Sequence, residues 1–188
     1  WLQEAIWPFE AKYMDAQAVA VGTELALAEM LLSGTTTLAD MYFFPETVAR
    51  VAHQTGMRCQ IAAPIINFAT SWNRDADDAL HKTMALYDEY RHHPLIRVAF
   101  GPHSAYSLER KHLNQIAMYA DELEAAVQIH LHETEREVAQ AHEQLGHGHV
   151  ELLRDTGLLG PRLQTVHMTQ LTAAEIDMVA AAKASVVH

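Results

Sequence analysis

Residues 127–134 read VQIHLHET, a short apolar run that ends in polar residues and passes into a helix signal. Apolar and polar residues alternate in it with the period of a strand, which would place His130 and His132 on the same face. Thr134 and Glu137 then have the spacing of a capping box, in which each side chain bonds the backbone amide of the other residue. The stretch predicts a strand that turns directly into a helix, with polar side chains at the junction.

The same organisation recurs along the chain. Further β-rich runs lie at residues 36–41, 59–66, 96–101, 163–168 and 185–188, besides residues 127–132. Their starts are roughly 20 to 40 residues apart, the length of one βα unit. Segments of helical period separate them, and Thr172 and Glu175 form a second predicted capping box. The alternation predicts an α/β fold with parallel strands and no linker between domains.

Such alternation permits either an open doubly wound sheet or a closed barrel. The chain has neither GxGxxG nor GxxxxGK, the glycine patterns that bind phosphates in open sheets. Polar residues instead follow successive strands, at the ends that meet in the mouth of a barrel. These residues are Asp40, Asn67, His103, His130 with Glu133, and His167. We predict a (β/α)8 TIM-type barrel, incomplete here with about six βα units, in which residues 1–188 are the central part of a single domain.

Composition excludes several classes of protein. A net charge of -11, from 13 Lys and Arg against 24 Asp and Glu, repels nucleic acid. The apolar runs are far shorter than the roughly 20 residues that span a bilayer, which argues against a membrane protein. The single cysteine, Cys59, cannot form an internal disulfide, and the start lacks the pattern of a signal peptide. These features predict a cytoplasmic protein.

The strand-end residues suggest metal-assisted hydrolysis. His130 can ligate a metal, and Glu133 follows closely enough to exchange protons with a water that the metal activates. The alternative is that His130 and its neighbour are merely hydrogen-bonded polar residues. His103 and His167 end strands of the same series, and packing alone does not explain three such strands. The other histidines are assigned to surface roles: His53, His81, His92, His93, His112, His142, His147 and His149. Asp40 is interpreted first as structural.

Seven short motifs together carry a resemblance to a known family. They are WLQE (1–4), WPFE (7–10), SGTT (33–36), DMYFF (40–44), GPHS (101–104), HLHET (130–134) and VHMT (166–169). In their order and spacing the chain resembles the methylthioadenosine/S-adenosylhomocysteine deaminase family of the amidohydrolase superfamily. The resemblance extends over essentially the whole chain, and it implies a TIM-type barrel.

The resemblance implies a single divalent metal, usually zinc. Its ligands would be an HxH pair on the first barrel strand, a histidine on the fifth and an aspartate on the eighth. His130 matches the fifth-strand histidine, and His132 is then not a ligand. The remaining ligands are expected outside this chain, which we interpret as an internal piece of a longer protein that is inactive alone.

Further roles follow from the resemblance, residue by residue. Glu133 resembles the proton shuttle and purine contact, and His167 the histidine that polarises the attacking water. His103 matches a substrate-binding histidine, and Glu10 the residue that accepts hydrogen bonds from the ribose hydroxyls. Trp1 matches an apolar wall beside the thioether, although a tryptophan packed into the core is an equal alternative.

The implied reaction is the hydrolytic deamination of an adenine nucleoside to an inosine analogue and ammonia, with a metal-activated water. The substrate would be methylthioadenosine, S-adenosylhomocysteine or adenosine. Some related enzymes have arginines after the third strand for the amino-acid end of S-adenosylhomocysteine, whereas here only Arg74 follows. Two alternatives stay open. One is hydrolysis of another heterocycle, such as guanine or a triazine, and the other is a non-catalytic barrel remnant acting as an interaction subunit. A homo-oligomer is compatible with each.

Overall fold

The computed structural model describes residues 2–188, with their side chains from Glu4 onward. The strands are β1 (Thr37–Asp40), β2 (Arg58–Ile65), β3 (Ile96–Pro102), β4 (Val127–Leu131), β5 (Leu163–His167) and β6 (Ser185–Val187). The α-helices are α1 (Trp7–Tyr13), α2 (Ala16–Leu32), α3 (Pro45–Thr55), α4 (Ala76–Tyr90), α5 (Arg110–Glu122), α6 (Glu135–Leu145), α7 (His149–Asp155) and α8 (Ala173–Ala182). A π-helical turn (Leu2–Ile6) precedes α1, and a 3-10 turn (Ala105–Ser107) follows β3.

All six predicted strands are present, each within one residue of the predicted bounds at either end. The six strands form one sheet in chain order, and the pairs β1–β2, β3–β4, β4–β5 and β5–β6 are parallel, which confirms the predicted α/β class. The β4–β5 pairing runs from Val127 opposite Leu163 to Leu131 opposite His167. Because the pairing is parallel and in register, the carboxyl ends of β4 and β5 lie side by side.

The chain forms two compact units, of which the first comprises the described residues before Ile65 together with Phe68–Ala99. Its core contains Leu27, Val51 and Ile61, each at most 1% exposed. Helix α2 begins at Asp15, whose carboxylate accepts a hydrogen bond from the amide of Ala18 at 2.8 Å. Apolar residues occur on every side of this helix, and those that are buried are Val19, Ala20 and Leu27.

The second unit comprises Ile65–Asn67 and Phe100–His188. Its fully buried side chains include Ile129 and Leu131 of β4 and Leu113 of α5. Each inward-facing side chain of this size contributes about 1.5–3 kcal/mol to folding by leaving water. The apolar residues of β4 thus fix the strand from which His130 projects.

The two predicted capping boxes have different outcomes. At α8 the box is complete, because Thr172 and Glu175 each accept a hydrogen bond from the backbone amide of the other. At α6, Thr134 accepts from the amide of Glu137 at 3.2 Å, but the Glu137 carboxylate bonds elsewhere. Of the two hydrogen bonds predicted for this box, the one to the Thr134 side chain is present, and the prediction of the one to the Glu137 carboxylate is wrong. Within residues 2–188, no helix combines the length and the apolar character that a bilayer span requires.

Candidate functional site

Three of the predicted site histidines lie together in the second unit. His103 directly follows β3, His130 lies near the end of β4, and His167 ends β5. The ring centroids of His103 and His130 are 4.9 Å apart, and those of His130 and His167 are 5.4 Å apart. The convergence follows from the parallel pairing, which brings the carboxyl ends of consecutive strands to one edge.

The orientation of His130 identifies its free nitrogen. Nδ1 lies 2.8 Å from the carbonyl oxygen of His103. A carbonyl oxygen can only accept, so Nδ1 carries the hydrogen, and in the neutral ring Nε2 keeps its lone pair. Histidines that bind metals are usually held in this way, with the second ring N–H donated to a backbone carbonyl or a carboxylate.

His130 therefore fits a zinc ion as one imidazole ligand, through Nε2. No group of three His, Cys, Asp or Glu side chains among residues 2–188 is placed to hold a metal ion. His130 would accordingly be one member of a ligand set that the described residues do not complete, and His103 and His167 neighbour it without forming such a group.

Glu133 and His167 form the accessible pair of the site. Glu133 Oε1 is 3.7 Å from His167 Nε2, just beyond direct hydrogen-bonding distance. Their side chains are 52% and 35% exposed, so both reach solvent and can meet a ligand. The carbonyl oxygen of His167 accepts a hydrogen bond from Nδ1–H of His188 at 3.0 Å. The end of β5 is thus held by a hydrogen bond from His188, the residue that follows β6.

The backbone at these strand ends is left-handed at three residues. The φ angles are 51° at His132, 80° at His167 and 53° at Met168. For residues with a Cβ atom this conformation costs roughly 1–2 kcal/mol each. Such strain persists where the surroundings enforce it, and it concentrates at functional sites.

His103 is held in its neutral form. Burial and, to a smaller extent, the nearby ring of His130 together lower the pKa of its imidazole to about 4. At neutral pH the His103 ring can therefore donate one hydrogen bond and accept another.

The predicted ribose contact, Glu10, belongs to the first unit. Its carboxylate accepts a hydrogen bond from the hydroxyl of Tyr42 at 2.7 Å. Burial of Tyr42, the bond to Glu10 and the negative charge of Glu10 raise the pKa of the phenol well above its usual value, so Tyr42 stays a donor. Trp1, the predicted apolar wall, lies outside the described residues.

His132 differs from its sequence-based prediction. It lies beyond the last residue of β4 in a left-handed conformation, so it does not share a strand face with His130. Its side chain is fully buried, and its Nδ1–H donates to the carbonyl oxygen of Gln170 at 2.9 Å. Its Nε2 accepts from the backbone amide of His149 at 3.2 Å. Both ring nitrogens of His132 are therefore engaged in hydrogen bonds to the backbone.

Two histidines assigned to the surface are in fact buried. His112 is 2% exposed and His149 is 4% exposed. Nδ1 of His149 lies 3.3 Å from the Glu137 carboxylate. The surface prediction failed because polar neighbours in sequence say nothing about which distant side chain covers a residue. Neither His149 nor Glu137 was singled out for the site, and only the Thr-x-x-Glu spacing drew attention to Glu137.

Asp40, the carboxylate at the end of β1, is buried in a way that disfavours its ionised form. Its Oδ2 is buried and has no hydrogen-bond partner among the described residues. Burial raises its pKa from 3.8 to about 6. Burial and, to a smaller extent, the negative charge of Asp40 together raise the pKa of the neighbouring Cys59 thiol to about 12.

We expect Asp40→Asn to stabilise the protein at neutral pH by about 1–3 kcal/mol. Because the folded-state pKa is raised, the contribution of Asp40 to stability is fully present below pH 3.8 and is lost as pH rises through about 6. Urea unfolding of wild type and variant at pH 4 and pH 7.5 measures this difference. An equal gain at both pH values would show that the charge of Asp40 is not responsible.

Comparison with known proteins identifies the family. A family model described as "Amidohydrolase family" matches residues 1–188, the whole chain. The chain belongs to the amidohydrolase family. It is 50% identical over 188 residues to a 5-methylthioadenosine/S-adenosylhomocysteine deaminase of Teredinibacter turnerae, and this match covers 42% of that relative. This amidohydrolase chain thus spans less than half the length of the curated relative.

Solved structures confirm the fold of this amidohydrolase. An adenosine deaminase of Xanthomonas campestris with bound zinc superposes with a TM-score of 0.98 at 43% identity, covering 100% of this chain and 43% of that one. A zinc complex of an atrazine chlorohydrolase from Arthrobacter aurescens matches with a TM-score of 0.90 over 99% of this chain and 46% of that one, at 19% identity. The latter likeness concerns the fold alone. The predicted fold class, an incomplete amidohydrolase barrel, is confirmed.

Proposed function

We propose that this chain provides the central part of a metal-dependent aminohydrolase that converts an adenine nucleoside into its inosine analogue and ammonia. The observation that carries the proposal is the arrangement of His130 beside His167, which in turn faces Glu133 at 3.7 Å. A metal ligand, a water-polarising base and a carboxylic acid are the groups that hydrolytic deamination needs. The identity to a nucleoside deaminase directs this chemistry to an adenine nucleoside.

His130 would hold a zinc ion through Nε2, since its Nδ1–H is already donated to His103 O. When bound, zinc acts as a Lewis acid and lowers the pKa of a water in the site. The other ligands would come from the rest of a single barrel domain, of which residues 1–188 form the middle.

The residues of the chain divide the remaining work. His167 accepts a hydrogen bond from the attacking water and aligns its oxygen toward C6 of the purine. Glu133 takes a proton from that water and delivers it to the ring nitrogen next to C6. As the C6–N bond breaks, Glu133 carries a second proton from the new hydroxyl to the amine, which leaves as ammonia, and a C6 carbonyl remains.

Substrate binding would involve His103, Glu10 and Trp1. The neutral His103 ring can donate to or accept from the purine without repelling a nearby metal ion. Glu10 would accept hydrogen bonds from the ribose hydroxyls, with Tyr42 holding its carboxylate at 2.7 Å. Only Arg74 follows β2, where some related enzymes have several arginines for the amino-acid end of the substrate, so methylthioadenosine is favoured over S-adenosylhomocysteine.

Ammonia release tests the proposal. The complete zinc-loaded protein that contains this chain would be assayed with methylthioadenosine, S-adenosylhomocysteine, adenosine and guanine. We expect ammonia from the nucleosides, with methylthioadenosine the best substrate. Ammonia from guanine alone would support hydrolysis of a free base instead. No ammonia from any of the four would support the non-catalytic barrel remnant.

The variant Glu10→Gln distinguishes nucleosides from free bases. We expect kcat/KM for methylthioadenosine to fall about 10–100-fold, because a hydrogen bond to a charged group contributes about 1.5–3 kcal/mol. Turnover of the free base adenine, which lacks ribose, should not change. Tyr42→Phe is the matched control, since it removes the hydroxyl beside Glu10 but keeps the carboxylate, and its effect should be smaller. Equal losses of kcat/KM for the nucleoside and for the free base would show that Glu10 does not bind the ribose.

A further inference from the structure

The carboxylate of Glu137 bonds the backbone on the strand side of the β4–α6 junction. Its Oε1 accepts from the amide of His132 at 2.9 Å, and its Oε2 accepts from the amide of Glu133 at 2.9 Å. Glu137 occupies the third position of α6, where a glutamate ordinarily accepts from the amide of the residue that caps its own helix. Here it reaches past the cap, Thr134, to the two preceding residues.

Glu175 shows the ordinary arrangement in the same protein. It occupies the third position of α8, is 3% exposed, and accepts from the amide of Thr172 at 2.7 Å. Glu137 is 7% exposed and accepts from two backbone amides, whereas Glu175 accepts from one. Glu175 Oε1 also lies 3.7 Å from Nδ1 of His132, but of the two glutamates only Glu137 bonds the amide of Glu133.

Glu137 holds the turn between β4 and α6, whose backbone conformation is unfavourable for a residue with a Cβ atom. His132 has a φ of 51°, a left-handed conformation that persists only where the surroundings enforce it. The direction in which Glu133 leaves the strand depends on this residue. Two hydrogen bonds to one carboxylate fix the His132 and Glu133 amides relative to each other and to α6.

Glu137 keeps its negative charge in this position. Burial would raise the pKa of its carboxyl, but the bond from His149 and the bonds from the two backbone amides lower the pKa by more, so the net shift is downward. His149 is itself fixed, because its amide donates to Nε2 of His132 at 3.2 Å. The carboxylate is therefore an acceptor with a fixed orientation. It bonds the turn directly, through the amides of His132 and Glu133, and indirectly, through His149.

We infer that Glu137 is a positioning residue for Glu133: by holding the left-handed turn at His132, it sets the Glu133 carboxylate against His167. This inference rests on the proposed function, because it assigns Glu137 a role in the step that Glu133 performs. The competing interpretation is that Glu137 only stabilises the start of α6.

A double-mutant cycle separates the two roles. In the complete zinc-loaded protein, Glu137→Gln leaves one oxygen to accept and places an amide N–H against the other backbone amide. We expect kcat for methylthioadenosine to fall on the order of 10–100-fold, as when a supporting partner of a catalytic group is removed, with KM and zinc content unchanged. In a Glu133→Gln background the same change should have almost no further effect on kcat, because the group that it positions is already disabled.

Glu143→Gln, at an exposed glutamate of the same helix, is the control and should leave kcat unchanged in either background. Equal fold losses from Glu137→Gln with and without Glu133 would overturn the positioning role. If Glu137→Gln does not fold, Glu137→Asp keeps the charge but is one methylene too short to reach both amides, and the same cycle applies. Failure of both variants to fold would make Glu137 a folding residue and overturn the inference. Absence of wild-type turnover would instead refute the proposed function, which is a separate result.

Discussion

Glu133→Gln is expected to lower kcat for nucleoside deamination by about 10²–10⁴-fold, the usual contribution of a positioned general acid or base. Glutamine keeps the size and the hydrogen-bonding capacity of the side chain but cannot exchange a proton. The substitution therefore leaves the contact with the purine largely in place and removes the transfer of protons to the ring and to ammonia. Steady-state kinetics with methylthioadenosine, together with zinc content, measures both properties.

Glu135→Gln is the matched control, because Glu135 is an exposed glutamate two residues further along, in the first turn of α6. It should retain wild-type kcat. A Glu133→Gln enzyme that keeps its turnover would break the assignment of Glu133 as the proton shuttle. A rise in KM alone, with kcat preserved, would reduce Glu133 to a substrate contact.

His130→Ala is expected to weaken zinc binding by more than about 100-fold, the upper end of what removing a supporting partner of a metal ligand costs. The imidazole ring is already oriented, since Nδ1–H donates to His103 O at 2.8 Å and Nε2 keeps its lone pair. Losing the ring therefore removes a preformed ligand. Metal content after dialysis against a chelator, and zinc titration of the apoprotein, measure the loss.

His81→Ala is a suitable control for that experiment, because His81 is an exposed histidine in α4. It should bind zinc like the wild type. If His130→Ala keeps its zinc through the same dialysis, His130 is not a ligand, and its bond to His103 O is purely structural. Loss of zinc without loss of turnover would mean that the metal does not take part in the reaction.

The strand-end histidines illustrate how far local pattern can lead. Strand period and helix caps are properties of a few neighbouring residues, so the ends of β4 and β5 could be located to within one residue. Once the strands are parallel and in order, residues after each strand must meet at one edge. The grouping of His103, His130 and His167 followed from that rule, without any knowledge of side-chain contacts.

The Glu137 bonds illustrate where local pattern stops. A Thr-x-x-Glu spacing marks the start of a helix at both Thr134 and Thr172, and the two sequences look alike at that level. Before α6, the backbone is left-handed at His132. The amides of His132 and Glu133 then bond the Glu137 carboxylate, which does not bond the amide of the cap. That conformation depends on what covers the turn.

The sequence by itself determined the α/β class, the order of strands and helices, and the strand ends at which chemistry can occur, because these depend on periodicity and on residues close along the chain. The tertiary structure alone decided which ring nitrogen of His130 is free, that His149 is buried, and that His132 is held by Gln170. Those features come from partners 27, 12 and 38 residues apart in sequence. A hydrogen bond over such a distance depends on how the whole chain packs, and no local pattern encodes it.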